Sequence, residues 1–158
     1  MRRLFPFVLC CAALACASNK PKAEPASTAP PPQASKPPPS GKLFDRLGGK
    51  PAIEAVVDEF LARVAADERI NAGFAGSNVP KVRQRLVELI CQASGGPCVY
   101  SGRDMKTAHA GMGITGAQFD ALAGHLVEAL DKFKVPEKEK GEILSLVGPM
   151  KTDIVEEP

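Results

Sequence analysis

Tryptophan is missing from this 158-residue chain, tyrosine occurs once and histidine twice. So few aromatic side chains leave little for recognition of nucleic acid by base stacking. An excess of one charge is missing too, because 20 lysines and arginines are nearly balanced by 18 aspartates and glutamates. No basic stripe indicates nucleic acid and no acidic block indicates a charged tail. We therefore expect no nucleic-acid partner.

Long apolar runs are also absent. The most apolar stretch, residues 4–15, is too short for a stable transmembrane helix and follows two arginines, the pattern of a secretory signal peptide. It ends at Cys16 in a sequence that resembles a bacterial lipoprotein processing site, although the residues at 13 and 14 are in reversed order. Ordinary cleavage near Ala15 or Ala17 is the alternative. We expect a signal in residues 1–16 and an exported bacterial protein, periplasmic or membrane-anchored through lipid on Cys16.

Residues 17–41 contain many prolines among alanine, serine and lysine, with no large apolar side chain. Such a segment cannot bury enough surface to offset the entropy of ordering, so it is predicted to be a disordered, extended tether. The composition becomes globular from residue 42. We therefore expect a single domain over residues 42–158.

Apolar residues in this domain recur at helical spacing. Four helices are predicted, the first just after Gly48-Gly49 with Pro51 in its first turn, and the others beginning near Asn78, Thr115 and Glu137. The last should be kinked at Gly148 by the following proline. No window shows the alternation of a strand, so the domain is expected to be all-α. The second helix is expected to point four apolar residues inward: Val82, Leu86, Leu89 and Ile90.

Residues 95–113 are unusual for a helical bundle, because they contain five glycines and a proline in mid-domain and include His109. A bundle built only for stability would have a short loop here. Glycines would instead allow the backbone to lie close to a flat ligand. A neutral imidazole is a common ligand of haem iron, while many histidines in apolar helices only pack or donate hydrogen bonds. Both interpretations of His109 are open from its local context.

Several short motifs, taken in order, resemble group 1 of the truncated haemoglobins. The block at residues 105–114, where Met-Lys precedes the histidine and two glycines and an isoleucine follow it, is specific together with the Gly-Gly pair before the first long helix. The resemblance extends over about residues 43–155 and implies a two-over-two helical sandwich that encloses haem b. The motifs lie at residues 47–49, 57–64, 74–76, 95–102 and 105–114.

The resemblance also implies roles for individual residues. His109 aligns with the proximal iron ligand of the family, and Phe74 with a phenylalanine that packs against the porphyrin. Met105, four residues before His109, is expected to contact the cofactor as well. His125 falls at a mid-helix position that is not a ligand in the family, so a structural role is expected there.

The distal side departs from the family pattern. The usual tyrosine after Phe60 is replaced by Leu61, the usual glutamine by Leu86, and Val82 stands where larger globins have a distal histidine. With Ile90, these residues form an apolar wall without a hydrogen-bond donor. Dioxygen on ferrous haem carries partial negative charge, so a donor would stabilise it by roughly 1.5–3 kcal/mol. Without one, dioxygen is expected to dissociate about ten to a hundred times faster.

Three classes of function are considered for such an iron site: an enzyme, an electron carrier and a gas-binding globin. An enzyme, such as a nitric oxide dioxygenase or peroxidase, would need groups that hold dioxygen or polarise peroxide, and the apolar wall offers none. Electron transfer would need a second axial ligand, but Met105 lies on the same face as His109. The resemblance favours a globin that binds dioxygen, nitric oxide or carbon monoxide at a five-coordinate iron, with a reductase as a further partner. The haem enzyme is the alternative.

Two cysteines of the mature domain, Cys91 and Cys98, bracket a Gly-Gly-Pro loop. Outside the cytoplasm a disulfide is permitted, and it would join the end of the second helix to the loop that leads to His109. In a reducing compartment Cys91 would be a small buried apolar residue and Cys98 a surface thiol. Spacing and compartment are compatible with both states.

Overall fold

The computed structural model describes residues 41–156, and in this range every regular element is helical. The predicted signal, Cys16 and nearly all of the predicted tether lie outside the described residues. No helix within residues 41–156 combines the length and apolar character needed to cross a membrane. The helices are α1 Leu43–Arg46, α2 Gly49–Ala66, α3 Val79–Ala93, α4 Met105–His109, α5 Gly116–Lys132, α6 Glu137–Val147 and α7 Lys151–Ile154, with 3₁₀ turns at Asn71–Phe74 and Gly148–Met150.

The four long helices begin where local signals place them. Asn78 caps α3, its side chain accepting a hydrogen bond from the Lys81 amide at 3.0 Å. Thr115 and Gln118 form a reciprocal capping box at the start of α5. The 3₁₀ turn at Gly148–Met150 interrupts the last helix at the expected kink. The all-α prediction is confirmed.

Helix α2 is central, since it packs against both α3 and α5, and α5 in turn contacts α6. This is the expected two-over-two arrangement. The core has two parts. The larger is formed mainly by α2 and α5 with Ile143 of α6, and the smaller by Ile53 and Val57 of α2 with Val87 and Cys91 of α3.

The inward face of α3 differs from the prediction. Its fully buried residues are Val87 and Cys91, which contact α2. The predicted inward residues are only half-buried, because α3 meets α2 through one edge of its apolar stripe. The half-buried set is Val82, Leu86, Leu89 and Ile90. An apolar helix face is thus left partly uncovered by the polypeptide.

Candidate functional site

His109 is the last residue of α4, a helix of only five residues. The Asp104 carboxylate caps this helix by accepting a hydrogen bond from the Thr107 amide at 2.9 Å, which holds the pKa of Asp104 below its usual range. The His109 Nδ1 atom lies 2.8 Å from the Met105 carbonyl oxygen. Because a carbonyl only accepts, Nδ1 is the donor in this contact, and in the neutral tautomer that carries this proton the lone pair of Nε2 is available to a metal ion. This is the arrangement expected of an imidazole that ligates iron.

The backbone after His109 is held from the C-terminal end of the domain. The Glu156 carboxylate accepts hydrogen bonds from the Gly111 amide at 2.7 Å and the Gly113 amide at 2.8 Å. These bonds hold the pKa of Glu156 below its usual range. The Glu156 amide donates to the Ile114 carbonyl at 2.9 Å. The sequence did not predict this contact, because the contact joins residues more than 40 positions apart and no local pattern indicates such a pairing.

The four residues of the predicted apolar wall are half-buried and lie on α2 and α3, and the other two predicted haem contacts, Phe74 and Met105, are half-buried as well. Leu61 of α2 and Leu86 of α3 pack against both parts of the core, Ile90 packs against the smaller part, and Phe74 against the larger. Val82 is also half-buried, outside both clusters, as is Met105. Large apolar side chains are usually buried more completely than this.

These residues fit haem b. One imidazole has its Nε2 available to iron, and half-buried apolar side chains supply surface that a flat, largely apolar ring system would cover. The chain has no Cys-x-x-Cys-His for thioether attachment of the ring. The donor set and the apolar surroundings therefore both suit a haem held by one histidine without that motif.

A disulfide ties α3 to the loop before α4. The sulfur atoms of Cys91 and Cys98 are bonded, with their Cα atoms 5.7 Å apart. Gly96 lies so close to this bridge that a Cβ there would be 2.7 Å from the Cys91 Sγ and closer still to the ring of Phe44. Only glycine fits such a close approach.

Hydrogen bonds continue the same attachment further along the loop. The Gln92 side-chain oxygen accepts from the Tyr100 amide at 2.6 Å, and the Glu88 carboxylate accepts from the Ser101 amide and hydroxyl at 3.2 and 3.0 Å. Hydrogen bonds from Gln84, Ser101 and Arg85 lower the pKa of Glu88 to about 2. The loop leading to α4 is therefore fastened to α3 at three successive points.

His125, the second histidine, is engaged elsewhere. Its Nε2 lies 2.7 Å from an Asp67 oxygen and its Nδ1 lies 3.3 Å from Glu128. It lines an open groove of about 540 Å³ together with charged side chains that include Arg63 and Arg69. Both ring nitrogens of His125 lie near carboxylate oxygens, a placement compatible with the structural role predicted for it.

The protein combines a two-over-two helical sandwich, a histidine with one ring nitrogen available to a metal, and half-buried apolar side chains on α2 and α3. That combination defines a protein of the globin class. Residues 42–156 match the family model described as bacterial-like globin. The chain belongs to this family; it is a truncated globin, and its cofactor is haem.

Relatives of known sequence and structure agree with this assignment. The group 1 truncated hemoglobin GlbN of Mycolicibacterium paratuberculosis is 41% identical over 112 residues, which are 71% of this chain and 82% of the relative. Among solved structures, the Fe(III) truncated hemoglobin of Tetrahymena pyriformis superposes with a TM-score of 0.71 at 26% identity, covering 74% of this chain and 100% of that one. The 2/2 hemoglobin of Synechococcus, with covalently attached heme, gives 0.69 at 31% identity, covering 73% and 98%.

Proposed function

We propose that this globin binds a diatomic gas at a five-coordinate haem iron held by His109. The observation that supports the proposal is the hydrogen bond from His109 Nδ1 to the Met105 carbonyl, which leaves the second ring nitrogen available to a metal. When bound through His109, the haem would supply an iron that can bind a diatomic gas. Met105 is on the same short helix as His109, so we do not expect its thioether to serve as a second iron ligand.

The apolar wall determines which gases the site would favour. Leu61, Val82, Leu86 and Ile90 would contact a small ligand through dispersion alone, since none of these side chains carries a hydrogen-bond donor. Dioxygen gains more from a donor than carbon monoxide or nitric oxide, which are less polar on ferrous iron. We infer that the pocket is biased toward the less polar gases and holds dioxygen loosely. Rapid loss of the ferrous state would follow, so a reductase partner belongs to the proposal.

Absorption spectra of the purified domain test this function. We expect a five-coordinate high-spin ferrous spectrum and a shift of the Soret band when carbon monoxide is added. A six-coordinate low-spin ferrous spectrum without added ligand would contradict the proposal, because it would mean that a second side chain occupies the gas position. A spectrum unaffected by carbon monoxide would contradict it as well.

We further propose that the domain is exported and anchored through lipid on Cys16, with residues 17–41 as the spacer. The apolar stretch before Cys16 supports export, and the Cys91–Cys98 disulfide suits an oxidising compartment. Stable attachment would need at least two acyl chains, since one binds membranes only marginally. Cys16→Ser should release the protein from the membrane fraction. An unmodified mature N-terminus at another residue would refute lipidation.

A further inference from the structure

We propose that Glu156 is a positioning residue for His109. Its carboxylate fixes the backbone that follows the histidine and thereby sets the orientation of the imidazole toward the iron. The inference rests on the proposed function, in which His109 is the iron ligand. It adds a residue near the C-terminus of the chain, 47 positions from His109 by their numbers in the sequence, to the machinery that holds the haem.

Three hydrogen bonds connect Glu156 to the four residues 111–114. One carboxylate oxygen accepts from Gly111 at 2.7 Å, the other accepts from Gly113 at 2.8 Å, and the Glu156 amide donates to Ile114 at 2.9 Å. Glu156 thus contacts residues 111–114 through both carboxylate oxygens and its own backbone amide. A carboxylate that accepts two amide hydrogens makes charge-assisted bonds, which are stronger than neutral ones.

The two glycines have the backbone that this contact requires. Gly111 has φ +78° and Gly113 has φ +62°, a region that side chains other than hydrogen rarely allow. A Cβ added at either position would meet nothing within 4 Å. Glycine is therefore needed here for the backbone direction and not for space. That direction turns both amides toward a single anion, as in backbone anion sites elsewhere.

The support behind Glu156 is itself fixed to the core. Helix α7 packs against α4 and α5, with Ile154 buried. Lys151 forms an ion pair with Asp120 of α5 at 2.7 Å, and its Nζ lies 5.7 Å from the centre of the Phe119 ring. The carboxylate is thus presented from a docked element.

Helix α4 depends on such support. A helix of five residues is far below the length at which helices are stable alone. The His109 carbonyl accepts from the Met112 amide at 3.1 Å, between the two glycines that Glu156 holds. A displacement of residues 111–113 would therefore pass directly to His109 through one hydrogen bond and two peptide units.

Glu156→Ala, Glu156→Gln and the control Asp153→Asn test the proposal in the full-length haem protein. Asp153 is exposed on α7, so Asp153→Asn removes one negative charge without changing a contact to residues 111–114. For Glu156→Ala we expect haem transfer to an acceptor apoprotein to be about tenfold faster, as loss of charge-assisted bonds implies. The iron–histidine stretching band in the resonance Raman spectrum should shift or broaden. Glu156→Gln keeps one acceptor oxygen, so its haem-transfer rate should lie between those of the wild type and Glu156→Ala. Asp153→Asn should match the wild type in both measurements.

A second background separates positioning from general support. In His109→Gly with added imidazole, the ligand is no longer attached to the loop, so Glu156→Ala should leave the iron–imidazole band unchanged. An equal shift in both backgrounds would overturn the proposal. The proposal would also be overturned if Glu156→Ala transferred haem at the wild-type rate and kept the wild-type iron–histidine band. This holds even if amide hydrogen exchange at Gly111 and Gly113 became faster. If His109→Ala kept the wild-type ferrous spectrum, the ligand assignment itself would fail, which is a different result.

Discussion

Around His109 the chain is held by hydrogen bonds to its backbone, whereas Leu61 and Leu86 are held only by packing. The α4 region uses the Asp104 cap, the Met105 carbonyl and the Glu156 carboxylate. The α2–α3 wall presents side chains that offer no donor and are half-covered by the polypeptide. Under the proposed function, orientation is thus specified around the one side chain that would bind a metal. On the wall, only shape and volume are specified.

The two regions are not independent. The Cys91–Cys98 bridge and the Glu88–Ser101 hydrogen bonds connect the end of α3 to the loop before α4. We expect substitutions at these connections to lower the stability of the fold, and to change ligand binding only as a consequence of that loss.

The largest effect should come from removing the imidazole. His109→Ala should abolish the Soret band or leave haem binding that depends on added imidazole, because no other described histidine is near α4. His125→Gln is the matched control, since His125 contacts Asp67 and Glu128 instead. Absorption spectroscopy of both variants decides the matter. Loss of haem in the control but not in His109→Ala would reverse our assignment.

Opening the bridge between the two regions should reduce stability. Cys91 and Cys98 are seven positions apart, and closing so short a loop stabilises a protein by roughly 2 kcal/mol, or about 8 °C in Tm for a domain of this size. Cys98→Ser should therefore lower Tm by about that amount in thermal unfolding followed by circular dichroism. Added reductant should lower the Tm of the wild type similarly and leave the variant unchanged. Equal sensitivity of both proteins to reductant would argue against the bridge.

A hydrogen-bond donor on the apolar wall would add to it the kind of directed contact that surrounds His109. Leu61→Tyr should slow dioxygen dissociation by about tenfold, in line with a hydrogen bond worth about 1.5 kcal/mol, while carbon monoxide dissociation barely changes. Leu61→Phe has nearly the same size and no hydroxyl, so it isolates steric crowding. Flash photolysis and stopped-flow mixing measure both rates. Slow dioxygen release already in the wild type would mean that a donor reaches the ligand despite the apolar wall.

The smallest effect concerns the Glu88 contacts to the loop. The folded-state pKa of Glu88, about 2, is below the usual value of 4.5, so the unfolded chain binds more protons between these values. Its contribution to stability should therefore be complete above pH 4.5 and decline as the pH falls toward 2. The Tm difference between the wild type and Glu88→Gln should narrow between pH 6 and pH 3. Glu68→Gln, at an exposed position beyond α2, removes the same charge away from the loop and serves as the matched control.

Local signals in the sequence specified the helices. Glycine, asparagine and threonine before α2, α3 and α5 act within a few residues, and Pro136 precedes α6 in the same way. Periodicity failed for α1 and the turn at Asn71–Phe74, which are too short to show a repeat. The histidine of α4 could be found because it lies inside one continuous motif.

Tertiary structure alone decided which faces are covered. The apolar stripe of α3 is visible in the sequence, yet only packing against α2 buries Val87 and Cys91 and leaves Leu86 half-buried. Spacing left Cys91 and Cys98 open to either state, and their juxtaposition joined them. The Glu156 contact needed the C-terminal helix to dock beside α4. Caps and turns depend on neighbours in the chain, whereas burial and these contacts depend on how separate elements meet in space.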